Sequence, residues 1–200
     1  MKSESVDAEI LNYYRKSTSR IIEEEGEWRP RYLESLEEVL APGSTLLDLG
    51  CGFGRDVAQL RESGIAARGV DPSPDQIRLG RQYYGLSEET LWTDALPTVY
   101  SVDSSYQALL CALVLQHLSD EQLPGALDRM VELLSVGGHL LLTFPLSTPA
   151  DADEIRYILR KPDSYLALLT ERGLAPVESY RLLPTEDSNA QEEDVLLLRR

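Results

Sequence analysis

The sequence predicts an open α/β fold: a mostly parallel sheet wound in two directions, with helices on both faces. Three observations carry that prediction. From about residue 30 to residue 145, short apolar runs alternate with amphipathic segments of helical period. The run Thr45 to Leu49 passes directly into Gly50, Gly52 and Gly54 and then into DVAQLRESG, which reads as strand, tight turn and helix. The next apolar run, GVD, ends in a carboxylate at Asp71 and is followed by another helical segment.

Taken in order, residues 6 to 25 carry Ile10, Leu11, Tyr14, Ile21 and Ile22 in a broken helical pattern, so one or two short helices are expected, with Glu23 to Glu25 as an exposed end. RPRYLESLEEVL places Tyr32, Leu33, Leu36, Val39 and Leu40 on one helical face, and APGS ends it. After the glycine turn the helix should run to Ser63, and a strand should cover Ala67 to Asp71. A helix capped by Ser73 or Pro74 then extends to Tyr84, and a strand lies near Leu91 to Thr93. A strand Gln107 to Cys111, a helix Asp120 to Leu134, a turn at Val136-Gly137-Gly138 and a strand His139 to Phe144 follow. Right-handed crossovers make these strands parallel. A helix from about Pro162 to Arg172 stops at Gly173, and VESYRLLP with DVLLLRR reads as a terminal hairpin around the acidic loop TEDSNAQEED.

Length and composition bound the function. Two hundred residues with 42% hydrophobic content and no internal repeat suit one domain, 1–200, able to bury its own core. The N-terminus MKSESVDAEI lacks the apolar centre of a signal peptide, and no apolar run is long enough to span a bilayer, so a cytoplasmic protein without a membrane partner is expected. The two cysteines, Cys51 and Cys111, build neither a disulfide framework nor a zinc cluster, and no metal is expected. With 19 Lys and Arg against 34 Asp and Glu, a net charge of −15 argues against nucleic acid as a partner, because binding it depends on neutralising phosphates. The basic clusters Arg29 with Arg31, and Arg156, Arg160 and Lys161, read as solvated faces.

Alternate glycines belong where the backbone must adopt conformations closed to other residues and where a ligand lies on bare main chain. The helix that follows such a turn directs free N–H groups at that ligand, so a nucleotide cofactor is expected. A dinucleotide fingerprint wants a glycine at the sixth position, and here that position is Arg55. The string with Asp48 two residues before Gly50 instead resembles the first motif of class I S-adenosylmethionine-dependent methyltransferases, hydrophobic-D-x-G-x-G-x-G. LWTDALP, ALLCALVLQHL and LLSVGGHLLLTFP follow in that family's order, so that the resemblance covers roughly residues 30 to 145.

The resemblance implies a Rossmann-like sheet of seven strands with the last antiparallel, and a helical lid over residues 1–30 on a core of 31–200. It implies S-adenosylmethionine as cofactor and S-adenosylhomocysteine as product. Asp48 would orient the turn and the cofactor's amino group, Gly50, Cys51, Gly52 and Gly54 would shape its bed, and Asp71 with Pro72 would take the ribose. Asp94 with Ala95 would meet the adenine, Cys111 would lie beside the cofactor, and Tyr14 and Arg29 would approach its methionine end. Tyr13 and Tyr157 would face the substrate, and His117 would be either the general base or a structural donor at the strand end. Many relatives carry Asn or Ser where this chain has Ala112 and Leu113. The function implied is methyl transfer to a small molecule by a monomer or homodimer. The alternatives are a methyltransferase acting on protein or RNA, and a relative that binds the cofactor without turnover.

Overall fold

The computed structural model describes residues 7–100, 105–148, 156–183 and 192–200. Its strands are β1 (Thr45–Leu49), β2 (Ala66–Asp71), β3 (Leu91–Thr93), β4 (Tyr106–Ala112), β5 (Leu134–Pro145), β6 (Ala175–Leu182) and β7 (Glu193–Arg199). They form one seven-stranded sheet in the order β3-β2-β1-β4-β5-β7-β6. Pairs among β1 to β5 are parallel, while β7 runs antiparallel to both β5 and β6. The chain therefore builds outward from β1 through β2 to β3, then returns to the other side of β1 with β4. The reversal opens a crevice at the C-terminal ends of β1 and β4, the place where open α/β sheets hold ligands.

Among the described residues six α-helices accompany the sheet: α1 (Ala8–Glu25), α2 (Tyr32–Val39), α3 (Arg55–Glu62), α4 (Pro74–Tyr84), α5 (Leu123–Leu133) and α6 (Pro162–Thr170). Side chains alternate across a strand, so one strand feeds two cores. Leu47, Leu49, Leu109, Cys111, Leu140 and Leu142 meet Leu127 and Met130 of α5 and Leu169 of α6. Leu46, Ala108, Leu110, Leu141, Val195 and Leu197 meet Leu33 and Leu36 of α2, Val57 and Leu60 of α3 and Ile77 of α4. The near-continuous apolar text of β4 and β5 follows from that two-sided burial. No helix among the described residues is long and apolar enough to cross a membrane.

Four expectations change. The N-terminal segment is one helix of 18 residues, capped by Asp7, whose carboxylate accepts the Glu9 N–H at 3.0 Å. The polar interruption at Ser17 and Thr18 is absorbed because their hydroxyls donate back to the Tyr13 and Tyr14 carbonyls, at 2.9 and 2.6 Å. Helix α5 starts at Leu123, not Asp120, because Ser119 and Gln122 exchange side-chain bonds with each other's backbone N–H in a turn ahead of Pro124. Strand β5 takes in the Gly137 turn, whose N–H donates to the Arg200 carbonyl at 2.8 Å. Finally, Arg160 is withdrawn from the expected solvated face, while Arg156 is exposed but paired. Arg156 pairs with Asp7, and Arg160 donates to Asp120 and to the carbonyls of Leu115 and Leu118.

Helix α4 lies so close to the glycine turn that a Cβ on Gly80 would stand 1.9 Å from the Phe53 carbonyl oxygen. Gly80→Ala is therefore expected to lower the unfolding free energy by about 1–3 kcal/mol, the usual scale of overpacking. Helix propensity alone would give the opposite sign, a gain of about 1 kcal/mol. Urea unfolding of the two proteins distinguishes them.

Candidate functional site

A cavity of about 690 Å³ fills the crevice at the C-terminal ends of β1, β2 and β4. Its floor is the Gly50 to Phe53 turn and its far wall the Ala112 to Val114 turn, with Ile10, Leu11, Tyr13, Tyr14 and Ile21 of α1 above. Gly50 takes φ +83° against Val114, where a Cβ would sit 2.3 Å from Cγ2, so only glycine permits this turn.

Asp71 closes β2 beside that turn. Its carboxylate accepts the Ser73 N–H at 2.8 Å on one oxygen and the Gly52 N–H at 3.0 Å on the other. Each oxygen keeps a further lone pair, so the pair is a fixed bidentate acceptor, which suits two adjacent ribose hydroxyls. Burial raises its pKa to about 6, even though the two N–H groups pull it down. Asp48, buried under the turn, is pushed up by burial and by the carboxylates of Asp56 and Asp71, with Arg55 opposing. Burial also pushes up the thiols of Cys51 and Cys111, which makes them poor nucleophiles. The bare turn, the fixed acceptor and the volume fit an adenosine cofactor.

Only ionised Asp71 accepts two hydroxyls. Affinity for S-adenosylhomocysteine is therefore expected to be flat above about pH 7 and to fall as pH drops through about 6, approaching tenfold per unit. Asp71→Asn should flatten that profile in calorimetric titrations. The stability term runs the other way: the raised value makes the folded chain the better proton binder. Its contribution is complete below the ordinary carboxylate range and lost as pH rises through about 6.

The other half of the cavity is aromatic. The His117 Nδ1 lies 2.9 Å from the Arg156 carbonyl, which only accepts, so the proton sits on Nδ1. Burial lowers the His117 pKa, and its bare Nε2 then accepts the Tyr14 hydroxyl at 2.9 Å. Tyr13, Tyr14, His117 and Tyr157 follow one another edge to face, with centroids 5.2, 5.7 and 5.5 Å apart. What aims His117 is the turn after β4. Leu113 adopts φ +54°, a left-handed conformation costing about 1–3 kcal/mol in a residue with a Cβ, and its carbonyl accepts the Gln116 Nε2 at 2.5 Å.

The structure brings Asp48, Gly50, Cys51, Gly52, Asp71, Pro72, Ala95, Tyr13, Tyr14, His117 and Tyr157 to one cavity. Four expected residues lie elsewhere. Arg29 reaches across the surface to Glu37 at 2.5 Å. Gly54 is filled against by Leu91, and Cys111 is sealed in the core under α5. The Asp94 carboxylate turns back to accept the N–H of Ala95 at 2.8 Å.

Several lining residues escaped the sequence reading. Arg55 stacks 4.8 Å over Trp28 and pairs with Asp56 at 2.7 Å, and Asp56 also accepts the Tyr32 hydroxyl at 2.5 Å. Only the tertiary fold reveals that network. Gln116 beside His117 is buried, and its Oε1 has no donor among the described residues. Glu193 opens β7 but sits in an acidic stretch that reads as a solvated loop.

Sheet order, reversal-point cavity and glycine turn together define a Rossmann-like domain built for a nucleoside cofactor. Residues 46–138 match the methyltransferase domain family. The fold is the one that solved S-adenosylmethionine-dependent methyltransferases share. It is 27% identical over 194 residues to 2-ketoarginine methyltransferase of Streptomyces arginensis, covering 86% of this chain and 58% of that one. It is 30% identical over 129 residues to phosphoethanolamine N-methyltransferase 1 of Zea mays, covering 61% of this chain and 25% of that protein. The chain thus spans from a quarter to somewhat over half the length of these two relatives. Among solved structures it resembles the Burkholderia thailandensis 1,6-didemethyltoxoflavin-N1-methyltransferase with bound 1,6-didemethyltoxoflavin and S-adenosylhomocysteine, with TM-score 0.73, 23% identity, and coverage of 96% of this chain and 88% of that one. It also resembles the N-methyltransferase NodS of Bradyrhizobium japonicum WM9 with S-adenosylhomocysteine, with TM-score 0.65, 21% identity, and coverage of 93% and 97%.

Proposed function

We propose that the protein transfers the methyl group of S-adenosylmethionine to a small molecule enclosed under α1. The carrying observation is Asp71, held by the Gly52 and Ser73 N–H groups at the mouth of the glycine turn. When bound, the cofactor would supply a methyl group already activated by the sulfonium charge. The chain's task is then mainly positioning. Asp71 would hold the ribose, the Gly50 to Gly52 backbone would lie along the cofactor, and Ala95 would flank the base. Helix α1 would act as the lid, tied down by Asp7 to Arg156 at 3.1 Å and by Tyr14 to His117.

The neutral His117 is suited to take the acceptor's proton through Tyr14: Nε2 receives the phenolic proton as the phenolic oxygen receives the acceptor's. The aromatic half of the cavity and the net charge of −15 favour a small acceptor over RNA. We place the enzyme in the cytoplasm as a monomer or homodimer. Incubation with methyl-labelled cofactor and cell extract, fractionated into metabolites, protein and RNA, tests this reading. Label is expected in the metabolite fraction, whereas label confined to protein or RNA would overturn the small-molecule assignment.

A further inference from the structure

Gln116 stands between the left-handed Leu113 and His117, in the 3₁₀ turn Leu115–His117, where it lines the cavity and is 3% exposed. Its Nε2 donates to the Leu113 carbonyl at 2.5 Å and lies 3.5 Å from the His117 Nε2. Leu113 decides which end of the amide faces the ring. Turned over, the amide would set its oxygen against the Leu113 carbonyl oxygen, two acceptors in contact. An amide N–H therefore faces the His117 Nε2. The other end is idle, because Oε1 is buried with no donor among the described residues. A buried amide kept only for packing would have both ends met, or would give way to an apolar chain of the same shape at little cost. The role of Gln116 thus lies on its N–H side.

Resting on the reading above in which His117 takes the acceptor's proton, we propose that Gln116 is a positioning residue for His117: its N–H, pinned by the Leu113 carbonyl, keeps the imidazole neutral with Nε2 bare and turned to the Tyr14 hydroxyl. The Arg156 carbonyl takes the Nδ1 proton at 2.9 Å, Tyr14 of α1 donates to Nε2 at 2.9 Å, and the Tyr157 ring meets the imidazole edge to face. The charged groups around this turn are paired, Arg156 with Asp7 and Arg160 with Asp120. Protonation would make Nε2 a donor and set it against the amide N–H, like to like. A hydrogen bond made to the neutral form disfavours the charged form. Gln116 therefore opposes the imidazolium at the nitrogen to which Tyr14 delivers its proton, in the same direction as the burial that lowers the His117 pKa. His117 then stands ready as the free base at neutral pH.

Proton NMR titration of the full chain tests this, because His117 and His139 carry its only imidazole rings and the signal lost in His117→Ala identifies His117. The wild-type ring should titrate below the ordinary histidine range. Gln116→Met, of like length and without an N–H, should raise that pKa by about half a unit or more, and Gln116→Leu should do the same. The thermal unfolding midpoint of Gln116→Met should stay near that of wild type, since the substitution removes an idle buried acceptor along with one bond. A His117 titration that does not move in whichever of the two variants folds, with stability lost instead, would make Gln116 a structural residue and overturn the proposal. Nitrogen spectra of the isotope-labelled wild type need no variant: they should show a protonated Nδ1 and a bare Nε2, and a neutral ring with its proton on Nε2 would equally overturn it. None of these readings requires turnover. A chain that binds no S-adenosylhomocysteine and methylates nothing would refute the methyltransferase reading, and the shift in Gln116→Met would still decide what Gln116 does to His117.

Discussion

Asp71→Ala is expected to weaken S-adenosylhomocysteine binding by more than tenfold while leaving the sheet folded. Two hydroxyls donating to one carboxylate are charge-assisted bonds, each worth about 1.5–3 kcal/mol when lost. The carboxylate is already oriented by the Gly52 and Ser73 N–H groups, so little ordering cost offsets that gain. The substitution also strips those two N–H groups of their acceptor at the turn, which adds a loosened floor to the lost contacts. Calorimetric titration of both proteins at pH 7.5 measures the difference. An affinity within twofold of wild type would mean that the ribose lies elsewhere.

His117→Ala is expected to lower kcat about a hundredfold with cofactor affinity unchanged, the usual scale for general base catalysis. Tyr14→Phe should fall by a similar factor, because in the proposed relay the acceptor's proton reaches the His117 Nε2 through the Tyr14 hydroxyl. Removing both should cost little more than removing either, since groups that act as one unit are not additive. If His117 instead only fastens the chain, by its bonds to Tyr14 and the Arg156 carbonyl, the losses appear as stability, about 1–3 kcal/mol. The pH profile of kcat would then keep its shape. Burial lowers the His117 pKa, so in the catalytic case wild-type rates should rise with pH through a group titrating below the ordinary histidine range and then level.

The core of the fold was legible because its signals are local. Thr45 to Leu49 and Gly50 to Gly54 specify strand and turn through apolar run and glycine spacing alone, and Ser73-Pro74 marks a helix start with a cap and a fixed φ. The boundaries of α1 and β5 were not, because Ser17 and Thr18 satisfy their hydroxyls within the helix and Gly137 pairs with the chain terminus. The glycine-turn half of the cavity follows the same division. Asp48 and Asp71 are fixed by motif and strand end. Arg29 was misplaced because a basic residue near the core carries no directional signal, and Glu37 lies within its reach.

The aromatic half of the cavity was the least legible. Tyr13 and Tyr14 come from α1, His117 from the turn after β4, Tyr157 from the approach to α6 and Glu193 from β7. No sequence spacing ties four separate segments together, and Glu193 is disguised by the acidic residues around it. Leu113 offers a partial signal in hindsight. A residue with a Cβ held in the left-handed region is a cost that the fold maintains, and here it delivers His117 into the cavity.

The most direct test of the central claim is calorimetric titration of the intact chain with S-adenosylhomocysteine beside a nicotinamide dinucleotide. The cavity with its fixed Asp71 acceptor should bind S-adenosylhomocysteine at one site per chain with micromolar affinity, and the dinucleotide should give no heat because Arg55 stands where a pyrophosphate turn needs glycine. Heat with the dinucleotide and none with S-adenosylhomocysteine would contradict the account at its base.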